Sequence, residues 1–154
     1  GKSRQAFAKY PTAYWVQRSK TATGWWDLYN REETVILDDF YGWLSYDFML
    51  RLCDRYPLLV ETKGGQVQML AKRIVITSNR PPNAVWKNDD ITRNISSFLR
   101  RITHLWWFDR PKAQPTGTRH YPICVLNDAF PESWDRFLEM ITDFTRPSFT
   151  STYE

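Results

Sequence analysis

Cysteine is scarce in this sequence, with only Cys53 and Cys124 among 154 residues. Two thiols so far apart cannot build the disulfide framework of a small secreted domain, and they are expected as reduced side chains of an intracellular protein. Histidine is equally sparse, and His104 and His120 share no zinc-ligand spacing with the cysteines. No apolar run approaches the roughly 20 residues of a membrane-spanning helix, and no secretory leader precedes the first expected element. Structural zinc, disulfide stapling and membrane insertion are therefore not expected. Internal repeats and low-complexity segments are absent too.

Aromatic side chains are abundant. They make up 16% of the chain and include eight tryptophans. An apolar share of 42% suffices for a packed core. The supply of rings also suits stacking on bases or on a partner chain. A net charge of +4 leans toward anionic partners without requiring them. The length fits one domain, with or without an appendage.

Hydrophobic patterning predicts an alternation of strands and helices. Arg4 to Lys9 is helix-compatible and closed by Pro11, and Ala13 to Val16 reads as a short strand. Thr34-Val35-Ile36-Leu37 and Ile74-Val75-Ile76-Thr77 are continuous apolar runs, the pattern of parallel strands buried on both faces. Between them, Ser45 signals the start of a helix over 46–54. Leu58 to Val60 enters a hairpin whose tip is Thr62-Lys63-Gly64-Gly65, with the return at 69–73. Pro81-Pro82 bars a helix, 89–101 predicts one, and 103–108 predicts a closing strand. Residues 109–154 change texture: a proline-rich linker, then an amphipathic helix over 130–144 and a polar tail. Strands alternating with helices imply a three-layer α/β sandwich with a mainly parallel sheet. The domain reading is a core over 1–108 and an extension over 109–154.

The chemistry-bearing residues follow one order. Gly1-Lys2-Ser3 at a helix start is the end of a phosphate-binding loop, in which lysine meets the β/γ-phosphates and a hydroxyl meets magnesium. Asp38-Asp39 closes the first buried strand, where ligand crevices of α/β sheets lie. The first acid of such a pair holds magnesium, and the second orients or deprotonates the attacking water. Asn79 closes the second buried strand and can hydrogen-bond the γ-phosphate or that water. Arg100-Arg101 offers an always-ionised guanidinium for a transferring phosphoryl group in a neighbouring subunit. Lys63, on a glycine-flexible tip, can reach a DNA phosphate. Each feature alone has a bland alternative as a cap, a turn or a solvated helix end. Their order is that of a nucleotide-driven motor.

Together these stretches resemble the superfamily 3 helicase domain of circovirus-type replication-associated proteins. The resemblance rests on Gly1-Lys2-Ser3, Trp25-Trp26-Asp27, Val35 to Leu44, Leu52 to Pro57, Val60 to Gly65, Ile76 to Asn79 and Arg100-Arg101-Ile102. It covers residues 1 to about 108 in the family's order.

The resemblance implies a P-loop NTPase of AAA+-like architecture, entered here within the Walker A loop and lacking the strand before it. It further implies an ATP- and Mg2+-dependent 3′-to-5′ DNA helicase that assembles as a homo-oligomer, a hexameric ring, on viral DNA in the host nucleus. In the family, a tyrosine nuclease domain precedes this motor and starts rolling-circle replication. Carried over, Gly1, Lys2 and Ser3 bind the nucleotide, Ser3 and Asp38 the metal, and Lys63 the DNA. Asp39, Asn79 and either Arg100 or Arg101 serve hydrolysis.

With most of the glycine loop outside these 154 residues, they are expected to hydrolyse ATP poorly on their own. The competing expectation is a non-catalytic nucleic-acid-binding or assembly module, such as a decayed viral gene copy. A small-molecule P-loop kinase fits the acid pair and lysine hairpin less well.

Overall fold

A computed structural model describes residues 1–108 and 123–126; for Trp107 and residues 123–126 it describes the backbone only. The chain divides into two compact units, 1–98 and 99–154, described in turn.

The first unit is built on a three-stranded parallel sheet in the order β1-β2-β5, from Tyr14–Trp15, Thr34–Leu37 and Arg73–Ile76. This bears out a mixed α/β fold with a parallel sheet, though a small one. Strand β2 is central and buried at all four residues, with Val35, Ile36 and Leu37 fully inaccessible. A β-branched apolar run suits that position because both its faces pack against protein.

Strand β5 departs from expectation. It is parallel to β2, but Ile74, Val75 and Ile76 are half-buried and Arg73 is exposed. Pairing explains the difference: β5 bonds to β2 along one edge, and no strand lines its other edge among the described residues. The register matches Leu37 with Ile76. The two strands therefore end level, and pairing runs on through Thr77 N–H to the Leu37 carbonyl at 3.0 Å and Phe40 N–H to the Thr77 carbonyl at 2.7 Å.

Helix α1, Lys2–Lys9, runs antiparallel to these strands. Its first side chains meet the residues just past the ends of β2 and β5. Tyr10, just past its other end, lies under the Arg73 guanidinium, 4.8 Å from the ring centre, at the start of β5.

Between β1 and β2 the chain loops out around an aromatic cluster. Trp26 is wholly buried, stacked on Tyr14 at 5.9 Å and edge-on to Tyr29 at 5.9 Å. Helix α2, Tyr46–Leu52, starts where Ser45 predicts; the Ser45 hydroxyl accepts the Phe48 N–H at 3.2 Å.

The hairpin is formed by β3, Leu58–Thr62, and β4, Gly65–Met69. Its return strand lies at 65–69 rather than 69–73, because the turn holds only Lys63 and Gly64 and Thr62 pairs directly with Gly65. Gly64, at φ +86, supplies the left-handed residue this tight reversal needs. The hairpin is tied to the sheet's loop by the Trp26 N–H, which donates to the Glu61 carbonyl at 3.1 Å.

The helix expected over 89–101 is broken into α3, Asp89–Arg93, and α4, Ser96–Leu99. Asn94 causes the break. Its side-chain amide donates to the Asp90 carbonyl at 2.9 Å, taking the acceptor that its own backbone N–H would use in a continuous helix. That N–H turns to Ile91 instead, at 3.0 Å.

In the second unit, β6, His104–Trp107, forms where a closing strand is expected. Its partner β7, Ile123–Leu126, is antiparallel to it and falls in a stretch that reads as linker. An isolated four-residue apolar run becomes a strand only by pairing, and that pairing is long-range. The helix expected over 130–144 lies outside the described residues.

Candidate nucleotide site

The level ends of β2 and β5, with the start of α1 laid over them, bring five of the singled-out residues into two hydrogen-bonded chains. In the first, Lys2 Nζ donates to Asn79 Oδ1 at 2.7 Å, and Asn79 Nδ2 donates to Asp39 Oδ1 at 3.3 Å. In the second, Ser3 Oγ donates to Asp38 Oδ1 at 2.6 Å, and Thr77 Oγ1 donates to the same oxygen at 2.6 Å. Lys2 and Ser3 are the first residues of α1, where unpaired backbone N–H groups and the helix dipole favour an anion. Gly1 caps that helix, its carbonyl accepting the Gln5 N–H at 3.0 Å.

Ser3 and Asp39 are exposed and Lys2 and Asp38 partly so, leaving the cluster open to a ligand. Ser3 Oγ and the Asp38 carboxylate are oxygen donors, the type magnesium takes. Among the described residues no group of three or more His, Cys, Asp or Glu could hold a metal. A two-residue site still fits magnesium, which keeps several waters and draws further oxygens from substrate phosphates.

Behind the acids stands a scaffold that the sequence reading missed. Thr77 is buried, and its Oγ1 also accepts the Asp39 N–H at 2.8 Å. Asp39 is left-handed at φ 49, a conformation aspartate tolerates better than most residues. Ser78 Oγ donates to the Phe40 carbonyl at 2.6 Å and accepts the Arg80 N–H at 3.0 Å.

Phe40 packs edge-on against Trp43 and Trp86, and Trp86 in turn meets Tyr46 and Phe98 at 5.2 and 5.1 Å. Trp86 Nε1 donates to the Leu44 carbonyl at 2.9 Å. Gly42, at φ +93, lets this loop pass the Val85 carbonyl, which would stand 2.9 Å from an added Cβ. A hydroxyl residue ending an apolar strand just ahead of Ser78-Asn79 was the one visible signal for Thr77.

Lys63 is exposed at the hairpin turn, and no hydrogen bond ties it to these groups among the described residues. Arg100, exposed, and Arg101, half-buried, belong to the second unit.

Two tyrosines away from the site titrate abnormally. Burial, reinforced by the negative charges of Asp27 and Glu32, pushes the Tyr14 phenol up to about 12. Burial also raises that of Tyr29.

The sequence matches the RNA helicase family over residues 1–80, which is more than half of the chain and contains all five converging residues. The chain belongs to this family. The replication-associated protein of beak and feather disease virus is 46% identical to this chain over 114 residues, covering 74% of this chain and 37% of that protein. That of porcine circovirus 2 is 49% identical over 119 residues, covering 75% and 36%. That of goose circovirus is 50% identical over 104 residues, covering 66% and 33%. These matches bear out the resemblance to circovirus-type replication-associated proteins. The chain spans about a third of the length of these relatives.

Proposed function

We propose that this chain is the ATP-hydrolysing motor segment of a viral DNA helicase. The observation that carries the proposal is the convergence of Lys2, Ser3, Asp38, Asp39 and Asn79 at the level ends of β2 and β5. Membership of a helicase family and likeness to proteins named as replication-associated support it.

In this reading, Lys2 exchanges its bond to Asn79 for the β/γ-phosphates. Ser3 Oγ and Asp38 would hold Mg2+, which supplies charge neutralisation for the phosphate oxygens. Ser3 can present a lone pair to a cation while its O–H goes on donating to Asp38 Oδ1. Asp39 orients or deprotonates the lytic water, and Asn79, released by Lys2, reports the γ-phosphate. Lys63 contacts the DNA backbone, and Arg100 or Arg101 serves a neighbouring subunit in a ring. Work on viral DNA in the host nucleus and the three-layer AAA+-like architecture belong to the same proposal. So does the division into a motor over 1–108 and an extension over 109–154.

The experiment uses the complete protein containing this segment, assayed for Mg2+-dependent ATP hydrolysis with and without single-stranded DNA or RNA. Lys2→Ala and Asp39→Asn are each expected to lower turnover by about 100-fold or more. Lys63→Ala is expected to remove DNA stimulation while basal turnover persists. Unchanged hydrolysis in both site variants rules out this cluster as the motor site, and a wild-type protein without hydrolysis leaves a non-catalytic binding module. Stimulation by RNA but not DNA would redirect the substrate.

A further inference from the structure

We infer that Thr77 is a positioning residue that sets both acids for metal binding and hydrolysis; the inference rests on the nucleotide-motor reading of the site. A hydroxyl has one proton to give and lone pairs to accept with. Thr77 Oγ1 gives its proton to Asp38 Oδ1 at 2.6 Å and accepts the backbone N–H of Asp39 at 2.8 Å. One atom is thus bonded to the side chain of the first acid and the main chain of the second.

Its own placement is tightly set. Thr77 is 6% exposed. Its N–H donates to the Leu37 carbonyl at 3.0 Å and its carbonyl accepts the Phe40 N–H at 2.7 Å. Backbone pairing therefore holds the threonine on both sides, and the threonine holds the acids.

Two consequences follow from the atoms involved. Ser3 and Thr77 both donate to Oδ1 of Asp38, so two hydroxyls restrain one oxygen of the carboxylate. Losing the Thr77 bond leaves the carboxylate held by the exposed Ser3 alone, the same group expected to meet the cation. At Asp39, the N–H bond stabilises a left-handed backbone at φ 49, and that backbone directs the carboxylate toward Asn79. Valine matches threonine in shape but offers neither bond. Serine keeps both, and cysteine offers weak versions of both.

The test places Thr77→Val, Thr77→Ser and Thr77→Cys in the complete protein. Three properties are measured: Mn2+ binding in the presence of a non-hydrolysable ATP analogue, the Mg2+ dependence of turnover, and hydrogen exchange across residues 38–41 without nucleotide. Thr77→Val is expected to weaken metal binding and lower kcat by about 10- to 100-fold, the usual effect of removing a group that orients a metal ligand. KM for ATP should stay near wild type, because Lys2 and the phosphate loop are untouched. Exchange across 38–41 should quicken, Thr77→Ser should restore all three properties, and Thr77→Cys should fall between.

If the valine variant does not fold, the serine and cysteine pair carries the test, with cysteine expected to need more Mg2+ than serine. A folded valine or cysteine variant with wild-type metal affinity and Mg2+ dependence overturns the assignment. So does a serine variant as impaired as valine, since the methyl group would then be what matters. A wild-type protein that never hydrolyses ATP would instead sink the motor reading beneath it.

Discussion

Lys2 and Asn79 stand 77 positions apart in the chain, yet the lysine Nζ lies 2.7 Å from the asparagine Oδ1. The bond gives an exposed ammonium an acceptor that carries no formal charge. An arriving phosphate offers stronger, charge-assisted hydrogen bonds, so the lysine can change partners at little cost. Lys2→Met is expected to weaken nucleotide binding and lower turnover by about 100-fold or more while leaving the fold intact. Nucleotide titration beside thermal denaturation checks this, and a collapse in thermal midpoint would mean that the lysine is structural.

Asp39 separates two demands that fall on one residue. Its carboxylate faces Asn79, while its backbone is left-handed at φ 49. Asp39→Asn keeps a side chain that tolerates this conformation, so stability should hold while hydrolysis falls. Asp39→Val should lose hydrolysis and, in addition, roughly 1–2 kcal/mol of stability from the backbone alone. Equal denaturation midpoints for the two variants would contradict this.

Gly42 and Gly64 both sit at positive φ, but only Gly42 is crowded. A Cβ there would meet the Val85 carbonyl at 2.9 Å, whereas nothing lies within 4 Å of one at Gly64. Gly64→Ala is expected to cost about 1 kcal/mol through strain alone. Gly42→Ala should cost more, about 2–3 kcal/mol, because the loop behind the acids must also shift. Chemical denaturation of the two variants side by side gives the comparison, and the reverse order would count against the packing described.

Trp86 organises the ring cluster behind the acidic pair. It is 7% exposed, contacts Phe40, Tyr46 and Phe98, and donates to the Leu44 carbonyl. Trp86→Ala should cost about 3–5 kcal/mol. Trp86→Phe should cost less but still leave the Leu44 carbonyl without its donor. Denaturation midpoints check both, and a neutral Trp86→Ala would show that the cluster does not support the loop.

Raised phenols make stability fall at high pH. In the unfolded chain Tyr14 loses its proton near pH 10, while in the folded protein it holds it up to about 12. Across that window the native state binds more protons than the unfolded one, so stability is complete below about pH 10 and declines toward 12. Tyr29 adds in the same direction. Stability curves of wild type and Tyr14→Phe should converge as pH rises through this window, and parallel curves would remove Tyr14 as a cause.

Much of this was legible from local chemistry. Val35-Ile36-Leu37 could satisfy its branched apolar side chains only as a buried strand. Ser45 could cap, and Lys63-Gly64 could turn, whatever surrounded them. The order of lysine, serine, acid pair and asparagine singled out the five residues that now share two hydrogen-bonded chains. Asn94 shows where such reading stopped, since nothing near it in sequence says whether its side-chain amide or its backbone N–H will take the Asp90 carbonyl. The strand at Ile123–Leu126 was hidden for a related reason, because its partner lies in a distant segment.

Side-chain type and spacing along the chain were enough to name the chemical groups and to mark the apolar runs at 34–37 and 74–77 as strands. Those properties depend on each residue and its near neighbours. The β2–β5 register, the half-buried state of β5, the left-handed Asp39 and the double bonding of Thr77 came only with long-range pairing. They depend on which backbone groups find each other across the fold, and a linear pattern does not encode a distance between residues forty positions apart.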